Sequence, residues 1–201
     1  MLLDDPGGLA DRYKLDKKEV EAFGLKAWEE FAYIRAETAD EIRDLEEDYW
    51  ERFIRRFSLP GRVGTFLEIT PDFIREVEGM VSLLEEKHAL GVPMAICSNN
   101  NPFWLKRQVE TLALDRFFPP ERIISSSDIG FPKSAPGFRM FRAACRSVRT
   151  KPEECLFIED RFENIEKSMA FGMPGILFPR ESPGGARYLQ NLLDSLMDDS
   201  G

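Results

Sequence analysis

Two regimes of apolar and polar spacing divide the chain. From residue 80 onward, short continuous apolar runs alternate with stretches of helical period. "MVSLLEEKHALG" (80–91) reads as a helix closed by Gly91, followed by a buried strand in "VPMAICS" (92–98). "ERIISSSD" (121–128) is a second strand and "APGFRMFRAACRSV" (135–148) a helix. "CLFI" (155–158) is a third strand, "FENIEKSMAFG" (162–172) a helix closed by Gly172, "GILF" (175–178) a fourth strand and "ARYLQNLLDSLM" (186–197) the last helix. Strands that are apolar throughout, rather than alternating, belong to a parallel sheet covered on both faces. Residues 13–70 differ. They are acidic, aromatic and helical in period, with no convincing strand, and Leu45, Trp50, Phe53 and Ile54 can share one apolar helix face. If "MLL" (1–3) is a strand of the α/β body, the helices are an insertion after it. The expected organisation is an α/β core over 1–12 and 71–201, with a small all-helical unit over 13–70.

Composition narrows the classes of function. The 201 residues, 43% hydrophobic, suit one globular domain with a modest insertion. The net charge of −9, with no Lys/Arg stripe apparent along the sequence, argues against a nucleic-acid partner. "RRFSLPGR" (55–62) is basic but short, the pattern of a solvated helix end. No apolar run reaches the roughly 20 residues of a membrane span, and "MLLDDPGGLADR" has acids where a signal peptide needs a basic start. A cytoplasmic protein is therefore expected. Cys97, Cys145 and Cys155 lack metal-type spacing, and Cys97 and Cys155 read as buried small hydrophobes in a reducing compartment. His88, the single histidine, falls late in a helix, where a solvated residue at the negative end of the dipole is expected.

The carboxyl ends of the strands carry the chemistry, and that is where ligands bind in open α/β sheets. "MLL" ends in Asp4-Asp5, "MAIC" in Ser98-Asn99, and "CLFI" in Glu159-Asp160, with Asn164 four residues on; Lys133 follows the 121–128 strand in "DIGFPKSAP". Two adjacent carboxylates repel and are costly to desolvate, so they either cap a helix in water or hold a cation. Acid, hydroxyl, ammonium and acid pair together suit Mg2+ and a phosphoryl group. Carboxylates hold the hard cation, Ser and Lys neutralise phosphate oxygens, and an aspartate can attack phosphorus.

These residues resemble the haloacid dehalogenase (HAD) superfamily, in the subfamily with a helical cap after the first motif. "ICSNN", "GFPKSAP" and "FIEDRFENIEKSMAFGM" follow in the family's order and spacing. The resemblance implies a Rossmann-like parallel sheet with a helical cap that chooses the leaving group. It implies that Ser98, with Asn99, binds the transferring phosphoryl group and that Lys133 stabilises it. It also implies that Asp160 binds Mg2+ with Glu159 assisting and Asn164 supporting. In the register "MLLDDPGGLAD", Asp4 stands at the nucleophile and a metal ligand, and Pro6 supplies a backbone carbonyl to the metal. Pro6 also replaces the second Asp, which usually protonates the leaving oxygen. Gly8, Ser134 and Arg161 are further departures, Arg161 replacing a small residue.

Each residue alone has a plainer reading. Asp160-x-x-Glu163 is a capping-box type, Lys133 a surface lysine, Ser98 a turn residue before "NNNP", and Asp4-Asp5 a frayed terminus. The cap aromatics Trp28, Phe31, Tyr33, Tyr49 and Trp50 read as the cap's own core rather than a substrate cage. "DEIRDLEEDYWE" reads as a solvated helix face. The leading expectation is a Mg2+-dependent phosphatase of a small phosphorylated metabolite working through an aspartyl-phosphate. The alternatives are a non-catalytic or impaired HAD-like binding protein and a 2-haloacid dehalogenase. No nucleic-acid or membrane partner is expected.

Overall fold

The described residues of the computed structural model are 2–4, 6–179 and 184–198, with side chains from 7 to 179 and from 184 to 196. The first part is helical: α1 (Pro6–Tyr13), α2 (Lys17–Phe31), α3 (Ala39–Phe57) and α4 (Val63–Ile69). Local chemistry sets their ends. Asp16 caps α2 by accepting from the Glu19 N–H at 3.0 Å. Thr38 and Glu41 form a reciprocal capping box at the start of α3, and Ser58 closes that helix in the left-handed conformation at φ 51°. Proline opens α1, the position where its missing N–H costs nothing. Residues 6–8 are thus part of the first turn of a helix.

The helices close on an aromatic cluster. Leu9 and Ala10 of α1, Val20 of α2, Trp50 and Phe53 of α3 and Phe66 and Ile69 of α4 are buried together. Trp50 meets Phe53 edge-on at 5.5 Å and lies 5.3 Å from Phe66. Of the apolar face expected on α3, Trp50 and Phe53 are buried, while Leu45 and Ile54 are half-buried at its margin.

The α/β part follows: β2 (Ile74–Glu76), α5 (Met80–Ala89), β3 (Ile96–Ser98), α6 (Pro102–Thr111), β4 (Ile123–Ser125), α7 (Ser126–Ile129), α8 (Arg139–Val148), β5 (Phe157–Glu159), α9 (Phe162–Ala170), β6 (Gly175–Leu177) and α10 (Ala186–Asp198). β3 pairs parallel with β4, Ser98 opposite Ser125, and β5 pairs parallel with β6, Glu159 opposite Leu177. These are the parallel ladders that the apolar runs predict. The pair β1 (Leu2–Asp4) and β2 is antiparallel, with Asp4 opposite Ile74. β2 carries no apolar run, since only Ile74 of its three residues is buried, and the sequence pattern misses it.

Elements are shorter than their patterns. The expected strand 121–128 stops at Ser125, which accepts from the Asp128 N–H at 3.1 Å and so starts α7 instead. The helix expected from 135 begins at Arg139, because Gly137 and Phe138 are left-handed at φ 85° and 54°. Gly91 and Gly172 close α5 and α9 as predicted. Gly175 answers to close packing: a Cβ there would stand 3.0 Å from both Ile165 Cδ1 and Ser168 Oγ of α9.

One charge pattern emerges only in three dimensions. Met140, Phe141 and Cys145 of α8 are buried, so Arg139, Arg142 and Arg146 share the opposite face and line an open groove of about 640 Å³ with Glu121 and Asp128. A basic stripe therefore exists where the linear sequence shows none. Among the described residues, no helix is long and apolar enough to cross a membrane.

Candidate active site at the ends of the parallel strands

Ser98 is the last residue of β3 and Glu159 the last of β5. Between these strand ends lies Lys133, contributed by the loop after α7 and only 6% exposed. Its backbone N–H donates to Asn99 Oδ1 at 2.9 Å. Its Nζ donates to the Cys97 carbonyl at 3.2 Å and forms a short ion pair with Glu159. The ammonium also lies 5.4 Å from the centre of the Phe157 ring. Burying a lysine is costly without such partners. Three separate contacts fix where this charge sits.

Glu159 is equally committed. One carboxylate oxygen meets Lys133, and the other accepts from the backbone N–H groups of Asp160 at 3.1 Å and Arg161 at 3.2 Å. Burial pushes its carboxyl above the ordinary range, and the neighbouring Asp160 carboxyl adds to the rise, while Lys133 opposes it. Asp160 is half-buried beside it, and Asn164 is buried in the first turn of α9. Two adjacent carboxyl groups, one of them paired with an ammonium, make an oxygen-rich set, a donor chemistry that suits a hard cation. The described residues do not gather three Asp, Glu, His or Cys side chains into a metal cage. The third expected carboxylate, Asp4, ends β1, but its side chain lies outside the described residues. Pro6 is the first residue of α1, where a helical carbonyl is directed to the N–H four residues on.

The asparagine run after Ser98 has a division of labour. Asn99 holds Lys133 as above. The Asn100 N–H donates to Ser126 Oγ at 3.0 Å and its side-chain amide to Gln108 at 3.0 Å. Asn101 caps α6, accepting from the Trp104 N–H at 2.8 Å, with Pro102 at the first helical position. Ser126 donates to the Ala32 carbonyl at 2.8 Å, joining the end of α2 to the strand ends.

A second link was read differently from the sequence. Trp28 of α2 is not in the aromatic core. Its Nε1 donates to the Asn99 carbonyl at 3.3 Å, and the Arg161 guanidinium lies 6.0 Å from its ring centre. Tyr33, exposed, meets Trp28 edge-on at 6.5 Å. Phe31 and Trp50 are fully buried as expected, and Tyr49 packs against both Trp50 and Phe103. Helical phase was the available signal. Ala27 and Phe31 are buried on one face, and Trp28 sits about 100° away from Ala27 on a 3.6-residue helix.

The histidine and the thiols take no part in the site's contacts described above. His88 is exposed near the end of α5, its ring 5.7 Å from Phe117. Burial pushes the Cys97 thiol up to about 11, so it is no thiolate at neutral pH. Cys145 is buried, Cys97 and Cys155 are half-buried, and the sulfurs of Cys145 and Cys155 are 3.8 Å apart.

Known proteins share this fold. A family model for haloacid dehalogenase-like hydrolases matches residues 10–166, a span holding Ser98, Lys133, Glu159, Asp160 and Asn164. Among solved structures, an L-2-haloacid dehalogenase is similar over 91% of this chain and 83% of its own, at 17% identity and a TM-score of 0.62. A HAD-superfamily hydrolase from Ehrlichia chaffeensis is similar over 88% of each chain, at 20% identity and a TM-score of 0.55. A HAD-family enzyme from Bacteroides thetaiotaomicron, in complex with magnesium and inorganic phosphate, is similar over 80% of this chain and 87% of its own, at 13% identity and a TM-score of 0.53. At these identities the structures speak for the fold, and the family match covers most of the sequence: the chain belongs to the haloacid dehalogenase-like hydrolases.

Proposed function

We propose that the chain is a Mg2+-dependent phosphoric monoester hydrolase acting on a small phosphorylated metabolite, with residues 13–70 as the cap that selects the leaving group. The observation that supports this reading most is the buried Lys133 ammonium, pinned between the Cys97 carbonyl and Glu159 beside Asp160. A fixed, desolvated cation at strand ends is pre-organised to stabilise a developing phosphoryl charge. In this reading the Asp4 carboxylate attacks phosphorus, the P–O bond to the leaving group breaks, and water then hydrolyses the aspartyl-phosphate. Ser98 donates its hydroxyl to a phosphoryl oxygen, and Asn99 and Glu159 keep Lys133 in place. Asp160 is the principal carboxylate for Mg2+, joined by Asp4; Glu159 serves chiefly through Lys133. When bound, the ion neutralises charge on the phosphoryl group. Asn164, buried in the first turn of α9, takes the supporting role.

Pro6 stands where an acid would protonate the leaving oxygen. A general acid contributes roughly 10²–10⁴-fold, so aryl or acyl phosphates, which leave without much protonation, are the expected better substrates. Hydrolysis of a generic aryl phosphate, with and without Mg2+, tests the proposal. Mg2+-stimulated turnover supports it, and faster release from aryl than from alkyl esters supports the role given to Pro6. The loss of that acid also favours a second reading, a 2-haloacid dehalogenase, because halide leaves unprotonated; a solved dehalogenase shares the fold. Chloride release from 2-chloropropionate without phosphate release selects that reading. Neither activity selects a non-catalytic binding protein.

A further inference from the structure

We infer that Arg161, backed by Trp28, is a specificity-determining residue that recognises a carboxylate on the substrate, so that the preferred substrate is a small phosphorylated carboxylic acid. This rests on the phosphoryl-site reading above and adds the second half of the ligand.

Arg161 immediately follows Asp160, and its backbone N–H is fixed by Glu159 at 3.2 Å. Its guanidinium lies 6.0 Å from the centre of the Trp28 ring. That ring is itself held, since Trp28 Nε1 donates to the Asn99 carbonyl at 3.3 Å while Asn99 Oδ1 accepts from the Lys133 N–H. Arg161 and the buried Lys133 are thus linked through the same two partners, Glu159 and, by way of Trp28, Asn99. Lys133 is buried and pinned, whereas Arg161 is exposed. Most ion pairs of the chain engage its other arginines, including Arg12, Arg52, Arg107 and Arg116. Arg161 has no ion-pair partner among the described residues. Its exposed guanidinium therefore stays available to a ligand, in a chain with 36 acidic residues against 27 basic ones.

The chemistry selects the ligand. An exposed guanidinium 6.0 Å over an indole ring keeps its planar fork available, and that fork matches a carboxylate through two parallel hydrogen bonds. Tyr33, edge-on to Trp28, extends an apolar wall beside it. A compact molecule with phosphate at one end and carboxylate at the other satisfies both cations.

The test compares two inert probes in the presence of Mg2+ by calorimetry: methylphosphonate and phosphonoacetate, which differ by the carboxylate. Phosphonoacetate should bind about tenfold more tightly, the effect of one modest charge-assisted contact. Arg161→Met should bring the ratio of the two affinities close to one, and Arg161→Lys should restore only part of it. Trp28→Phe, which keeps a ring but loses the Asn99 bond, should reduce the ratio. If methylphosphonate binds but the ratio is near one in the parent chain, or survives Arg161→Met, the carboxylate inference is overturned alone. If methylphosphonate itself does not bind, the phosphoryl-site reading fails and this inference falls with it.

Discussion

The helical part around α1 to α4 and the strand-end part around Lys133 bury different things. In the first, the buried side chains are rings and aliphatics, and among the described residues Glu46 and Thr70 are the buried polar or charged residues there, beside the indole N–H of Trp50. In the second, Asn100, Asn101, Gln108, Ser125, Ser126, Ser127, Lys133, Glu159, Asn164 and Ser168 are all buried. A packed apolar core gains stability from each ring it covers. A buried polar network gains little net stability and fails badly when one partner is lost. The second region therefore holds its groups in position at a cost in stability, which is the arrangement expected of a binding or catalytic site.

The largest expected effect separates position from stability. Asp160→Asn removes a full charge from the proposed cation site while leaving a side chain of the same shape. It should abolish Mg2+-dependent hydrolysis with little change in the unfolding midpoint. Calorimetric Mg2+ titration checks it directly, and an unchanged affinity would sink the metal assignment.

Lys133→Ala should be costly to the fold as well. It strands Glu159 in a buried setting, and breaking such a pair typically costs about 3–5 kcal/mol. Urea denaturation of Lys133→Ala, Glu159→Gln and the double variant measures the coupling. The double variant should be more stable than Lys133→Ala alone. Simple additivity would mean that the two side chains are independent.

The aromatic region should respond to shape rather than charge. Trp50 is fully buried, and its indole N–H has no hydrogen-bond partner among the described residues. Trp50→Ala should cost about 3–5 kcal/mol. Trp50→Phe keeps most of the packing and removes an unsatisfied donor, so its cost should be well below that. Thermal unfolding distinguishes the two. Neither change should alter the preference for phosphonoacetate over methylphosphonate, because Trp50 belongs to the other region.

The same contrast explains what the sequence makes legible. Apolar runs and closing glycines reveal β3, β5, β6, α5 and α9, because burial and chain reversal leave strong local marks. Ser98, Lys133, Glu159 and Asp160 are legible as a set, because each sits at a strand end or at a fixed spacing from one. The antiparallel β2 leaves no mark, since two of its three residues are exposed. Trp28 is misread as core because composition alone does not show which face of α2 it occupies. The basic face of α8 is hidden because buried Met140, Phe141 and Cys145 separate its arginines in sequence. All three misses concern direction in space, which a one-dimensional pattern carries only through helical phase.

The smallest expected effect concerns the one buried charge of the aromatic region. Glu46 of α3 is 4% exposed and accepts from Arg107 Nε of α6 at 2.9 and 3.1 Å, tying the helical part to the helix that follows the Ser98 loop. Burial raises its carboxyl above the ordinary value near 4.5, although Arg107 pulls the other way. The unfolded chain therefore releases this proton at a lower pH than the folded one. Between those two values the folded state binds more protons, so raising the pH favours unfolding. Glu46 contributes most at or below the ordinary carboxylate value, and that contribution declines as pH rises through the elevated folded value. Glu46→Gln cannot ionise and lacks this decline. Plotted against pH, the stability of the parent chain minus that of Glu46→Gln should fall from the ordinary carboxylate value upward and then level off. Denaturant midpoints at a series of pH values measure that difference and cancel the other titrating groups. A difference that rises with pH would mean that Arg107 outweighs burial, and that the link between the two regions is held by charge after all.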